Sequence, residues 1–175
     1  MGEGWSKDSA PPVGHSPLML NSELRDEIDA LYADYAEALD DNELERWPGL
    51  FVDDCLYKLV PRENWDRNLP IALMLCESKG MLRDRVTAVR NTAVYAPRTF
   101  RHLIGQFRIN PETPERIRVR ANYVVFQTLV DDLTRIQNAG KYIDLIVRTP
   151  EGLRFQEKIC VFDSVLVPNS LIYPV

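Results

Sequence analysis

The chain has 175 residues, 45% of them hydrophobic, and a formal net charge of −5. That length supports one domain burying roughly 70% of the surface its unfolded form exposes, and the acidic balance excludes nucleic acid as the main partner, because phosphate binding needs an extended surplus of Lys and Arg. Cys55, Cys76 and Cys160 are too scattered for a disulfide framework or a C-x-x-C site, so folding needs neither disulfide nor metal and a reducing compartment fits.

Residues 1–20 contain Pro11, Pro12, Gly14 and Pro17 and are expected to form an extended arm, anchored by Trp5, Leu18, Met19 and Leu20, ahead of a single domain at 21–175. The arm lacks the apolar core of a signal peptide. The longest apolar run, Leu69 to Cys76, is too short to cross a bilayer, which predicts a cytoplasmic chain with no membrane partner. Ser22 is placed to cap a helix with an acidic first turn (Glu23, Asp26, Glu27) and an apolar face of Leu24, Ile28, Leu31, Tyr32, Tyr35 and Leu39. Asp41 or Asn42 opens a shorter helix carrying Leu44, Trp47 and Phe51, limited by Pro48. Asp53 and Asp54 read as a turn, and Cys55 to Val60 as a strand closed by Pro61. Residues 69–76 fit strand or helix. From Gly80 to Asn91 the spacing is helical, with Leu82, Val86 and Val89 inward and Arg83, Thr87 and Arg90 on another face.

After Pro97 the period changes from 3.6 to 2. The stretch from Lys79 to Arg108 holds seven Lys or Arg against one acid, Asp84, so its cations are expected to meet carboxylates elsewhere in the fold or on a partner. Alternation puts Arg101 and His102 on opposite faces of one strand. Ile117, Val119, Ala121, Tyr123 and Val125 alternate with Arg118, Arg120 and Asn122, giving one buried face and one wet one. Asp131 and Asp132 mark a turn, Gly140 suggests a bulge, and Thr149-Pro150-Glu151-Gly152 joins the strand Tyr142 to Val147 to another running through Leu153, Phe155, Ile159 and Val161. A final extended tail holds Leu166, Val167, Leu171, Ile172 and Pro174. Helices followed by an antiparallel meander define an α+β layout: about three helices on one face of a strongly curved antiparallel sheet, a cone that either encloses a pocket or is filled by side chains.

Candidate chemistry is sparse. Nucleophilic triads and zinc or non-haem iron sites need a well-placed His, and only His15, in the arm, and His102 exist. A Rieske cluster has no matching Cys and His spacing, and no G-x-G-x-x-G or P-loop pattern occurs. His102 reads two ways: a general base beside Asp144 or Asp163, or, the favoured reading, a hydrogen-bonded core or interface histidine. Arg83, Asp84 and Arg85 read equally as a recognition cluster for a partner carboxylate or as a solvated helix face. Glu157 and Lys158 fall on opposite faces, each expected to pair across the sheet, and Trp47, Trp65 and Tyr95 read as packing.

Several segments, taken in order, resemble the small (β) subunit of aromatic-ring-hydroxylating dioxygenases: Phe51-Val52-Asp53-Asp54-Cys55-Leu56-Tyr57 with Glu63-Asn64, then Met81 to Val86, Arg101-His102-Leu103, Gln156-Glu157-Lys158, and Val161-Phe162-Asp163-Ser164. The resemblance covers about residues 22–174 and implies a nuclear transport factor 2-like (cystatin-like) cone, similar to scytalone dehydratase. It implies that the Rieske [2Fe-2S] cluster and the mononuclear Fe(II) belong to a large (α) subunit, and that this chain holds no cofactor and no catalytic residue. It further implies an α3β3 hexamer with β–β contacts, fed from NAD(P)H through ferredoxin and reductase components and acting on an aromatic compound such as a benzoate or phthalate. Arg83, Asp84, Arg85, Arg101 and His102 match recurrent family positions and are the candidates for organising subunit contacts. The alternative is a stand-alone dehydratase or isomerase of the same fold with His102 as base; a small-molecule binding module ranks third.

Overall fold

The computed structural model describes residues 20–91, 96–164 and 173–175. The predicted arm before Leu20, Tyr95, and most of the predicted tail lie outside the described residues.

Helix α1, Leu20–Asp40, buries Ile28, Leu31, Tyr32, Tyr35 and Leu39 along one stripe. It begins before Ser22, which therefore sits inside the first turn instead of capping it. The helix stops where Asn42 turns left-handed (φ 60°), a conformation Asn tolerates and most side chains do not. For that reason the expected second helix does not open at residues 41–42; turns follow, and only Trp47–Leu50 winds, as a short 3₁₀ helix with Pro48 in it. Strand β1, Phe51–Pro61, starts earlier than expected and includes Asp53 and Asp54. These two lie in a pairing irregularity between Phe51 and Leu56, so the local polarity read as a turn marks a bulged strand. Helix α2, Arg62–Asp66, was not expected; Pro61 precedes it in extended conformation and Glu63 lies in its first turn. Of residues 69–76 only β2, Met74–Cys76, is strand. Helix α3, Lys79–Asn91, buries Leu82, Val86 and Val89 as its spacing predicts.

Four long strands follow: β3 (Arg98–Pro111), β4 (Arg116–Leu129), β5 (Arg135–Thr149) and β6 (Gly152–Phe162). The sheet order is β2-β1-β6-β5-β4-β3, and every neighbouring pair is antiparallel except β1 with β6, which run parallel. The sheet is thus mixed and not wholly antiparallel. Alternation reports faces but not strand direction, and the segment from α2 through the meander is long enough to serve as the crossover that a parallel pair needs. Gly140 is not a bulge either. The β4–β5 irregularity falls between Val125 and Phe126, while a Cβ on Gly140 would stand 2.0 Å from the Val161 carbonyl oxygen. Both features favour glycine in a strand, and here close backbone approach is the cause. The β5–β6 turn falls where predicted, with Gly152 at φ 113°.

One main core fills the space between α1, α3 and the sheet. A smaller cluster of Val60, Ile159 and Val161, with Trp65, Ala72 and Ile143 against it, packs separately beneath α2.

Candidate functional site

In a cone of this kind the interior is where a reaction would be housed, and α1 and the bent sheet fill it with rings. Tyr35, Trp47, Phe51, Tyr57, Tyr123, Tyr142 and Phe155 are fully buried, with Tyr142 stacked on Tyr123 at 4.1 Å between centroids. Lys158, from β6, points into this shell. Its side chain and that of Asp144, its direct neighbour on β5, are both 0% exposed, and Lys158 Nζ stands 3.2 Å from Asp144 Oδ2. The ammonium also lies 3.5 Å from the centroid of Tyr142 and 4.3 Å from that of Tyr35, within reach of their negative faces. The Tyr32 hydroxyl donates to Asp144 Oδ2 at 2.6 Å, so one carboxylate joins α1, β5 and β6. Burial pushes the Asp144 carboxyl up, while Lys158, the Tyr32 hydroxyl and the Ile159 backbone N–H pull it down. Burial likewise drives the hydroxyls of Tyr32, Tyr35, Tyr57 and Tyr142 well above the usual phenol range and the Cys160 thiol up to about 12. These groups keep their protons at neutral pH and are packed against one another, an arrangement suited to holding a shape.

His102 is placed differently from its base reading. Its Nδ1 lies 2.6 Å from Asp40 Oδ1, and its backbone N–H donates to Asp40 Oδ2 at 2.9 Å, fastening the end of α1 to β3. The Asp144 and Asp163 partners considered for it are engaged elsewhere, Asp144 by Lys158 and Asp163 by Arg62. Nothing in the spacing of the chain points to Asp40, which stands 62 positions away. Alternation could have found the Lys158–Asp144 pair had both been read as inward-facing.

The predicted contact residues fall in two places. Arg83 and Asp84 are exposed on α3 and Arg85 is half-buried; Asp84 and Arg85 border a shallow groove of about 390 Å³ with Leu73, Leu75, Met81 and Ala88. Arg101 is exposed on β3, 3.9 Å from Asp41. The two groups sit by β2 and on β3, at opposite ends of the sheet order. Among the described residues no three His, Cys, Asp or Glu are grouped to hold a metal ion, and no helix is long and apolar enough to cross a membrane.

A three-helix, six-stranded cone with this topology defines a nuclear transport factor 2-like α+β protein, and the likeness extends to a scytalone dehydratase-type structure from Novosphingobium aromaticivorans (17% identity, TM-score 0.66, 87% of this chain and 97% of that one), which shows the fold alone. Residues 34–169 match the model of the ring hydroxylating beta subunit. The chain is 40% identical to the small subunit of anthranilate 1,2-dioxygenase from Burkholderia cepacia, over 85% of its own length and 92% of the relative's. It superposes with a TM-score of 0.82 at 42% identity on the crystal structure of a β subunit, ascribed to an aromatic-ring-hydroxylating dioxygenase, from Novosphingobium aromaticivorans, covering 89% of this chain and 99% of that one. The chain belongs to the family of ring-hydroxylating dioxygenase β subunits, the small components of oxygenases that work with a large subunit.

Proposed function

We propose that this chain is the non-catalytic subunit of an oxygenase that dihydroxylates an aromatic acid in the cytoplasm, and that it lends shape to the large subunit that activates oxygen. In this reading the Rieske [2Fe-2S] cluster and the mononuclear Fe(II) reside in the α subunit, the assembly is α3β3, and electrons arrive from NAD(P)H through ferredoxin and reductase components. The observation that carries it is the filled interior: Lys158, Asp144 and the tyrosines occupy the space in which the dehydratase alternative would place its substrate. An aromatic acid is favoured because the 40%-identical relative is named for anthranilate.

The exposed apolar side chains Leu73, Leu75 and Met81, beside the edge strand β2 and the charged pair Asp84 and Arg85, form the face offered to a partner, with Arg83 on the same helix. Arg101 offers a second contact, and His102 supports it from within by fixing Asp40. Co-expression with its large subunit tests the proposal. A brown complex that consumes oxygen with an aromatic acid is expected, and a colourless, inert protein when the chain is expressed alone. Arg83→Glu or Arg101→Glu should loosen the complex, whereas His102→Gln should leave turnover per assembled complex unchanged. Turnover of a substrate by the isolated chain, abolished by His102→Gln, would establish the dehydratase alternative instead.

A further inference from the structure

Residues Tyr173–Val175 belong to neither helix nor strand, yet Val175 is 0% exposed, as deep in the cone as the aromatic shell around it. Three donors from three elements converge on its carbonyl oxygen. The Tyr35 hydroxyl of α1 lies at 2.6 Å, the Tyr57 hydroxyl of β1 at 3.2 Å and the Cys160 thiol of β6 at 3.3 Å. The Val175 backbone N–H in turn donates to the Tyr57 hydroxyl at 3.0 Å. Tyr57 and Cys160 come together because β1 and β6 lie side by side, Tyr57 opposite Lys158 and Leu59 opposite Cys160. Two positions before Val175, the Tyr173 ring packs 5.0 Å from that of Phe100 on β3. Burial keeps both hydroxyls and the thiol protonated, so each has a hydrogen to give.

The cone is therefore filled in two different ways. Around Lys158 and Asp144 the filling is side chains fixed on α1, β5 and β6. At Tyr35, Tyr57 and Cys160 it is main chain, held by side-chain bonds outside any strand ladder. Such a filling can leave without unpairing the sheet, and buried donors then need another partner.

We infer that Tyr35, Tyr57 and Cys160 form a binding site for a small uncharged aromatic carbonyl compound, and that Val175 occupies it in this structure. The occupant displays the chemistry required: a carbonyl oxygen among the donors, an N–H against the Tyr57 hydroxyl, and an apolar body. A carboxylate fits poorly. All three donors are neutral, and Lys158, the cation on the far side of the Tyr35 ring, is already paired with Asp144; an anion here would stay uncompensated. An aromatic body suits the surroundings, because Trp47 stands edge-on to Tyr57 at 5.1 Å and Phe100 offers the ring that Tyr173 now meets. A primary aromatic amide satisfies every one of these contacts.

Calorimetric titration with benzamide tests this, on the full chain and on a chain shortened to end at Ile172. The shortened chain should bind benzamide saturably, and the full chain at least about tenfold more weakly, because its own Val175 competes from within the molecule. In the shortened chain Tyr35→Phe/Tyr57→Phe should cost at least about tenfold in affinity. Tyr123→Phe, whose hydroxyl bonds Asn138 instead, should bind as the shortened chain does. Benzoate, the anionic isostere, should bind at least about tenfold more weakly than benzamide at pH 7. If the shortened chain does not fold, Val175→Gly in the full chain keeps the backbone oxygen, loses the apolar anchor, and should bind benzamide several-fold more tightly than the parent. Equal binding by the full chain and both altered forms, benzoate matching benzamide, or unchanged binding after loss of the two hydroxyls would overturn the inference. So would a shortened chain that melts cooperatively and shows no saturable binding of millimolar benzamide. The oxygenase reading stands or falls separately, since co-purification with the large subunit decides it and the titrations need this chain alone.

Discussion

Replacing Lys158 by Met removes an ammonium from a place water does not reach and leaves Asp144 with the Tyr32 hydroxyl as its remaining side-chain donor. Breaking a buried pair from one side costs about 3–5 kcal/mol, because the surviving charge is left uncompensated. For a domain of this size each kcal/mol moves the melting temperature by about 2–4 °C, so Lys158→Met should melt roughly 6–20 °C below the parent at pH 7. The loss has a pH signature. Without Lys158 the upward push of burial on Asp144 is less opposed, so its folded pKa rises further above the unfolded value of about 4. The variant then keeps its stability below that unfolded value and loses it as pH rises through the folded one, and the gap to the parent should narrow as pH is lowered from 7 to 5. Lys158→Met/Asp144→Leu, which removes both charges, should recover most of the loss, and a double-mutant cycle from urea titrations measures the coupling. A single variant melting within 2 °C of the parent, or losses that simply add in the double, would refute the claim that this pair is dry and coupled.

Four further outcomes are expected. Gly140→Ala should destabilise by about 3 kcal/mol or more, since the new Cβ would meet backbone and no flexible side chain can retreat; normal chemical denaturation of the variant would mean the strands can separate. Arg90 holds Glu45 at 2.8 Å and also bonds Asn42, keeping the Glu45 carboxyl down at about 2. Because that folded value lies below the unfolded one, the bridge stabilises above about pH 4.5 and is lost as pH falls toward 2; solvent exposure limits it to about 1 kcal/mol, so Arg90→Met should cost about 1 kcal/mol more at pH 7 than at pH 2, where only its bonds to Asn42 are removed, as measured by urea midpoints. The buried thiols of Cys55, pushed up to about 11, and of Cys160 should react with a disulfide reagent only at the rate of unfolding; a rapid stoichiometric phase in stopped flow would show an open interior. Asp40→Asn should lower the urea midpoint by the equivalent of about 1–2 kcal/mol through the weakened His102 contacts, and an unchanged midpoint would remove His102 as the fastener between α1 and β3.

The two long helices and four long strands were legible because each buries one face over many residues, and period alone then separates α3 from β4. What failed was governed by single residues or by distant partners. Asn42 looked like a helix start and is a helix stop, because its side chain both caps and tolerates the left-handed region. Gly140 offered two physical reasons for one residue, and the sequence could not choose between them. The direction of β1 was invisible, since a strand buried on one face alternates identically whether its neighbour runs with it or against it. At the site level, the alternation that put Arg101 and His102 on opposite faces held, the structure turning His102 inward, while Asp40 as the histidine's partner lay beyond any local pattern.

The parallel pairing of β1 with β6 also sets an order on assembly. During synthesis β1 leaves the ribosome nearly a hundred residues before the strand that will lie beside it, and the three-residue β2 covers only a short part of its other edge. Closing so long a loop is slow, and an apolar strand with an open edge invites foreign pairing in the interval. Chaperone capture and aggregation should therefore concentrate on nascent chains halted before Gly152.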